Sequence, residues 1–135
     1  MTDAEVVAET LEHCAELGID PVNAMYRQFF NSSAAADALM GHSDGQMRGR
    51  MAAQTFELLL DDSLSGDGGY LRWEVDNHVG AYGVTPDLYV PFFEAVRDSI
   101  RAALTNQWTD AYEHAWNQRI AALVDDIQAH IGART

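Results

Sequence analysis

The most constraining feature of the sequence is the spacing of its apolar residues, which recur three or four positions apart along almost the whole chain. The C-terminal part shows this most regularly, with successive intervals of four, four, three, four and four residues: Tyr112, Trp116, Ile120, Leu123, Ile127 and Ile131. Such spacing places side chains on one face of an α-helix, whereas a half-buried strand alternates apolar and polar residues. The sequence therefore predicts an all-α fold.

Capping and turn residues between the apolar stripes predict where the helices begin and end. The predicted helices cover about residues 3 to 17 and 21 to 32, a long helix that starts near 45 and ends before 65, 70 to 79, a helix opening at or just after 86, and 109 to 131. A short alanine-rich stretch that ends at 40 lies between the second and the third. Asp20 and Pro21 mark the second start, because aspartate caps free amides and proline fits the first helical position. A chain of 135 residues predicts a single domain, residues 1–135.

The charge balance argues against several classes of partner. The chain carries 21 acidic and 8 basic residues, a formal net charge of -13, so its field repels phosphate backbones and anionic lipids. The N-terminus lacks the basic start and apolar run of a secretory signal, and no stretch approaches the ~20 apolar residues of a membrane-spanning helix. The single cysteine, Cys14, fits a reducing compartment. We expect a cytoplasmic protein that binds neither nucleic acid nor membrane.

Common catalytic and metal-binding motifs are missing from the sequence. A di-iron carboxylate bundle needs Glu-x-x-His motifs, but the acid and histidine pairs here have one residue more between them: Glu9 and His13, Glu74 and His78, Asp126 and His130. There is no phosphate-binding glycine loop, paired-cysteine motif or Gly-x-Ser-x-Gly elbow. Two residues remain as candidates, namely His78, just before a corner rich in glycine, and Tyr26, among aromatic residues of the second predicted helix.

The residues around His78 resemble the F helix and FG corner of globins. In that family a proximal histidine is followed at six residues by valine, at eight often by proline and at eleven by an aromatic residue, and Val84, Pro86 and Tyr89 stand at those positions. The sequence MYRQFF at 25–30 also resembles the B helix of bacterial single-domain globins and flavohaemoglobins, in which a tyrosine faces the distal haem pocket. The resemblance implies a globin-like three-over-three helical sandwich.

The start of the last predicted helix supports the same resemblance. Trp108-Thr-Asp and Ala115-Trp116 resemble the start of the globin H helix, so the similarity spans roughly residues 5 to 130. The order of the predicted helices agrees with the globin order A, B, C, E, F, G and H.

The resemblance implies haem b, held without covalent attachment, with His78 as the iron ligand. Neutral imidazole is a good ligand for haem iron. Tyr26 would lie on the distal side and donate a hydrogen bond to a gas ligand that acquires partial negative charge. The remaining lining would be largely apolar, formed by Met40, Met47, Met51, Val84, Tyr89 and Phe92. Gln46, Arg48 or Arg50 could supply a second polar distal group in place of Met47. The helix that starts near 45 can be aligned with the globin E helix in more than one register.

Two positions depart from the globin pattern and favour a second hypothesis. Met40 stands where most globins place a phenylalanine against the haem, and Glu74 stands where they place a leucine one turn before the proximal histidine. A buried carboxylate without a partner is costly. The alternative is a haem-free globin-like signalling or protein-interaction module. Peroxidase-like chemistry is a third hypothesis, for which His42 is the candidate acid-base residue.

The resemblance implies reversible binding of oxygen, nitric oxide or carbon monoxide, for transport, storage, sensing or detoxification. Four residues follow Ile131, so we expect no reductase domain, and nitric oxide dioxygenation would need a separate reductase. We expect a binding protein rather than an enzyme, as a monomer or homodimer. The other histidines are expected at the surface, namely His13, His42, His114 and His130. Among them His42, which precedes the long helix that starts near 45, is the only other candidate iron ligand. Cys14 and the three tryptophans are expected to pack in the core.

Overall fold

The computed structural model describes residues 2–40, 45–60 and 88–134, and within them every side chain except those of 39, 40, 47 and 130–134. All regular secondary structure in these ranges is helical, which confirms the predicted all-α class. The described α-helices are α1 (Asp3–Glu16), α2 (Val22–Ser32), α3 (Ala34–Met40), α4 (Gly45–Leu60), α5 (Tyr89–Leu104) and α6 (Asp110–Arg134). A short 3-10 turn, Thr105–Gln107, joins α5 to α6. The predicted helix at 70 to 79 lies outside the described residues.

The N-terminal caps of α1 and α2 show how local sequence starts these helices. The Thr2 hydroxyl accepts a hydrogen bond from the Glu5 amide at 3.2 Å, which satisfies one of the free donors at the start of α1. The Asp20 carboxylate accepts from the Val22 amide at 3.0 Å, but Asp20 lies one residue before Pro21, which is the N-cap residue of α2. α2 spans Val22–Ser32, which agrees with the predicted range of about 21 to 32. Gly18 has φ +70°, a left-handed conformation that suits glycine just after α1.

Two helix pairs make the most extensive contacts in the described part of the chain. α1 packs along α6, and α2 packs along α5. α4 contacts α1, α2 and α6, and α5 contacts both α1 and α6, so the pairs share one core. The predicted stripe on α6 is buried in that core, including Tyr112, Trp116, Ile120, Leu123 and Ile127.

A buried hydrogen bond fixes the register of α1 against α6. Trp116 and Thr10 are both fully buried, and the indole Nε1 donates to the Thr10 hydroxyl at 3.0 Å. The same hydroxyl donates to the Val7 carbonyl at 2.6 Å, so both polar groups are satisfied inside the core. Cys14 is also buried on α1, as predicted, and burial raises the pKa of its thiol.

A buried arginine joins the end of α4 to α6. Arg119 is 6% exposed, and its guanidinium donates to the Leu59 carbonyl at 3.0 Å and to the Leu58 carbonyl at 2.8 Å. The last carbonyls of a helix have no partner within the helix, and their partial negative charge favours a cation. Arg119 therefore fixes the end of α4 against the middle of α6. Within the described ranges, none of the helices has the length and apolar character needed to cross a membrane.

Candidate functional site

The predicted site residues divide into three groups according to what the structure describes. His78 and Val84 lie outside the described residues, as do Glu74 and His42. Met40 ends α3 and Met47 lies in the first turn of α4, but their side chains are outside the described part. The structure describes the other four fully: Tyr26, Met51, Tyr89 and Phe92. These four define the part of the site whose geometry can be stated.

Tyr26 lies on the inner face of α2, in the interior of the helical packing. Its side chain is 1% exposed, and Met25 and Phe29 beside it are buried as well. The ring centroid of Tyr26 lies 5.9 Å from that of Phe30 and 6.0 Å from that of Phe92. The phenol is therefore enclosed by rings from α2 and α5.

The rings around Tyr26 belong to a larger group, here called the aromatic cluster: Tyr26, Phe29, Phe30, Phe92 and Phe93. Phe29 and Phe92 meet edge to face, with centroids 5.0 Å apart, across the contact between α2 and α5. Edge-to-face contacts of this kind contribute about 0.5–1.5 kcal/mol beyond the area they bury. The aromatic cluster therefore forms a rigid apolar wall with one polar atom in it, the Tyr26 hydroxyl.

The Tyr26 hydroxyl reaches from α2 to the first turns of α4. It donates a hydrogen bond to the backbone carbonyl of Arg48 at 3.1 Å. A tyrosine hydroxyl has one proton to donate and two lone pairs that can accept. In this geometry the proton is engaged by α4, so donation to any other acceptor requires the hydroxyl to leave the Arg48 carbonyl.

The surroundings of Tyr26 keep its phenol in the neutral form. Burial raises the pKa of Tyr26 to about 12, because the charged phenolate is poorly solvated in the interior. The nearby Arg48 cation acts in the opposite direction and lowers the pKa, but it does not outweigh burial. At neutral pH the Tyr26 side chain is therefore a hydrogen-bond donor rather than an anion.

Phe92 is the predicted lining residue that the structure places directly beside Tyr26. Tyr89 lies one turn earlier on α5 and packs half-buried against the core. Met51 lies on α4, one turn after Met47, and is half-buried. Three helices, α2, α4 and α5, thus carry the described members of the predicted site.

Arg48 has a role that the sequence did not predict. Its guanidinium carbon lies 5.5 Å from the ring centroid of Tyr26 and 5.0 Å from that of Phe30. The sequence offered Arg48 only as an alternative polar group for the distal side. No periodic signal marks the contact, since it joins side chains from two helices that are not consecutive in the chain, α2 and α4.

A second group of polar and aromatic side chains lies between α1 and α6. The Tyr112 hydroxyl is 3.4 Å from Nδ1 of His13, and Trp108 packs against both Tyr112 and Trp116. Burial is the main cause that raises the pKa of Tyr112, followed by a hydrogen bond with Glu9. His13 is half-buried here, which corrects the expectation that it lies at the surface, whereas His114 is exposed as predicted.

The described residues form no metal-binding group, and they line a shallow groove. No group of three or more histidine, cysteine or acidic side chains in this part could hold a metal ion. A shallow groove of about 170 Å³ lies between α2 and α5, lined by Gln28, Ser32, Pro91, Glu94, Ala95 and Asp98. This groove contains none of the predicted site residues.

Comparisons of the chain with family models, with curated proteins and with solved structures returned no match.

Proposed function

We propose that the protein is a haem-binding globin that reversibly binds a diatomic gas at an iron held by His78. The observation that carries the proposal is the buried Tyr26 side chain, whose hydroxyl is the one polar side-chain group of the aromatic cluster. The same chain has a globin-like corner after His78. A neutral phenol in an apolar wall suits a polar diatomic ligand, because a hydrogen bond is strong where water is excluded. The gas would be oxygen, nitric oxide or carbon monoxide.

The helix order of the described part supports this proposal. In a globin-like three-over-three sandwich, α1, α2, α3, α4, α5 and α6 would correspond to the A, B, C, E, G and H helices. The F helix would fall in residues 61–87, which are not described. Globins pack their helices pairwise around the haem pocket. The pairing of α2 with α5, and the contact of both α1 and α6 with α4, suit such an arrangement.

The described residues also fit haem in their chemistry. The macrocycle is a large apolar plane, and the aromatic cluster offers apolar rings on α2 and α5 with a single donor. His78 would bind the iron, and Tyr26 would lie on the opposite side. The other contacts would come from Met40, Met47, Met51, Val84, Tyr89 and Phe92. When bound, haem b supplies the iron at which a diatomic gas coordinates.

Within this site Tyr26 would retain a polar gas by hydrogen bonding. The Tyr26 hydroxyl would stop donating to the Arg48 carbonyl and donate to the bound gas. The net stabilisation of the gas is therefore the difference in free energy between these two hydrogen bonds. Oxygen acquires more negative charge at haem than carbon monoxide does, so Tyr26 would favour oxygen. Nitric oxide dioxygenation at the same site consumes electrons and would depend on a separate reductase. We accordingly propose a cytoplasmic binding protein, monomeric or homodimeric, rather than a self-sufficient enzyme.

Replacing Tyr26 by phenylalanine tests this role directly. Tyr26→Phe removes one hydroxyl and keeps the ring in the aromatic cluster. We expect oxygen to dissociate about 10-fold faster, from a lost net stabilisation of about 1.4 kcal/mol between the hydrogen bond to oxygen and the one to the Arg48 carbonyl, and carbon monoxide to change by less than about 2-fold. Flash photolysis and stopped-flow mixing of haem-loaded protein measure both rates.

Tyr112→Phe is the matched control, because it removes the hydroxyl of another buried tyrosine, on α6 next to His13. It should leave both dissociation rates unchanged. Equal oxygen dissociation from wild-type and Tyr26→Phe protein would contradict the distal role of Tyr26.

A further inference from the structure

Arg48 contacts Tyr26 in two different ways, through its backbone and through its side chain. Its carbonyl accepts the hydrogen bond from the Tyr26 hydroxyl at 3.1 Å. Its guanidinium carbon lies over the Tyr26 ring, 5.5 Å from the centroid. One residue of α4 therefore meets both the polar end and the face of the same phenol on α2.

The guanidinium also lies over a second ring of α2. Its carbon is 5.0 Å from the centroid of Phe30, and the Tyr26 and Phe30 rings are themselves 5.9 Å apart. A planar guanidinium at this distance is attracted to the negative face of an aromatic ring, and the attraction strengthens where water is partly excluded. Arg48 is half-buried, so its cation is partly shielded from solvent. The side chain thus bridges two successive turns of α2.

We propose that Arg48 is a positioning residue, which sets where the Tyr26 hydroxyl points and thereby how firmly the gas site retains a polar ligand. The second half of this inference rests on the proposed function. The Arg48 guanidinium restrains the Tyr26 ring, and the Arg48 carbonyl accepts the hydrogen bond of the Tyr26 hydroxyl when no ligand is bound. A restrained ring limits how far the hydroxyl travels when it exchanges the carbonyl for a ligand, and a loose ring would reach the ligand less often.

The positioning role can be tested without haem by a double-mutant cycle. The variants are Arg48→Met, which keeps the length of the side chain without its charge, Phe30→Leu, and the two combined. Urea unfolding followed by circular dichroism gives the equilibrium constant of each. We expect the effects of the two changes to be coupled by about 2- to 5-fold in that constant. Strictly additive effects would overturn the proposed packing of Arg48 on α2.

Arg48→Lys separates the planar group from the charge. Lysine keeps the cation but lacks the flat guanidinium that can cover two rings. We expect Arg48→Lys to recover part of the coupling with Phe30 that Arg48→Met loses. A lysine variant indistinguishable from the methionine variant would show that the coupling needs the planar guanidinium and not the charge alone, whereas a lysine variant with the full wild-type coupling would contradict the role given to the planar group.

Gas dissociation from haem-loaded protein tests the consequence for the site. Arg48→Met should speed oxygen dissociation about 2- to 5-fold and leave carbon monoxide unchanged. In the Tyr26→Phe background the same change should have no further effect on oxygen, because Arg48 acts through the hydroxyl. An effect of equal size with and without the hydroxyl would overturn the positioning role.

The two experiments keep this inference distinct from the proposed function. If the wild-type protein binds no haem, the proposed function fails and the gas-retention half of the inference fails with it. The unfolding cycle still decides, by its coupling, whether the Arg48 guanidinium packs on α2, and additive effects would overturn the positioning role without any haem. If haem binds and only the cycle is additive, the proposed function stands and the positioning role is wrong.

Discussion

Replacing His78 by alanine is expected to abolish stable haem binding by the protein. The proposed site has one protein ligand to the iron, so the variant would lose the coordination bond and keep only the apolar contacts of the macrocycle. Hemin added to the purified variant should be removed by gel filtration, whereas the wild-type protein should retain about one haem per chain. Absorbance in the Soret region measures the retained fraction.

His114→Ala is the control for the His78 variant, since His114 is an exposed histidine of α6. Its removal should leave haem retention at the wild-type level. A His78→Gly variant adds a second check, because free imidazole can enter the vacated space and should restore the Soret band. Full haem retention by His78→Ala would mean that another residue binds the iron, and His42 would be the next candidate to replace.

Replacing Arg119 by methionine is expected to lower the free energy of unfolding by about 3 kcal/mol. The buried guanidinium donates to the carbonyls of Leu58 and Leu59, and hydrogen bonds that involve a charged group contribute about 1.5–3 kcal/mol each. Methionine keeps the apolar part of the side chain but leaves both carbonyls without these donors. Urea denaturation followed by circular dichroism gives the change.

Arg97→Met is the matched control, because it removes an arginine of α5 that pairs with Asp98 and Asn117 nearer the surface. Ion pairs in such positions contribute about 0–1 kcal/mol, so this variant should be much less destabilised. If the two methionine variants unfold at the same urea concentration, the end of α4 is not held by Arg119 as the structure indicates.

The fold class and most helix boundaries were predictable because periodicity and capping act locally. The α6 stripe from Tyr112 to Ile127 is buried as its spacing predicts. α2 starts at about the predicted place, but Pro21 is its N-cap residue and Asp20 precedes it, because a proline can stand just before the first helical turn as well as occupy it. Local signals thus predict that a helix is present more reliably than they predict the residue at which it begins.

Long-range side-chain contacts were not predictable from the same signals. Arg119 follows Trp116 by three residues and precedes Leu123 by four, so its place on the buried face of α6 was readable. Its partners were not, because they are backbone carbonyls 60 and 61 residues earlier in the chain. The half-buried position of His13 likewise depends on Tyr112, which α6 brings alongside α1.

Some residues of the candidate site were predicted from the sequence, and the structure showed the contacts between them. The sequence pointed to Tyr26 and Phe92 by resemblance, and the structure places their rings together. The hydrogen bond from Tyr26 to Arg48 could not be foreseen, since its acceptor is a carbonyl that any residue would carry. His78, the residue with the most specific sequence pattern, lies outside the described part, so its role stays a prediction.

The measurement that tests the central claim most directly is an absorption spectrum of the wild-type protein expressed with ample haem. The spectrum is recorded in the oxidised state, after reduction, and under carbon monoxide. A haem globin predicts an intense Soret band that shifts on reduction and shifts again when carbon monoxide binds. A folded helical protein with no Soret band, which also fails to take up added hemin, would contradict the haem proposal and favour a haem-free interaction module.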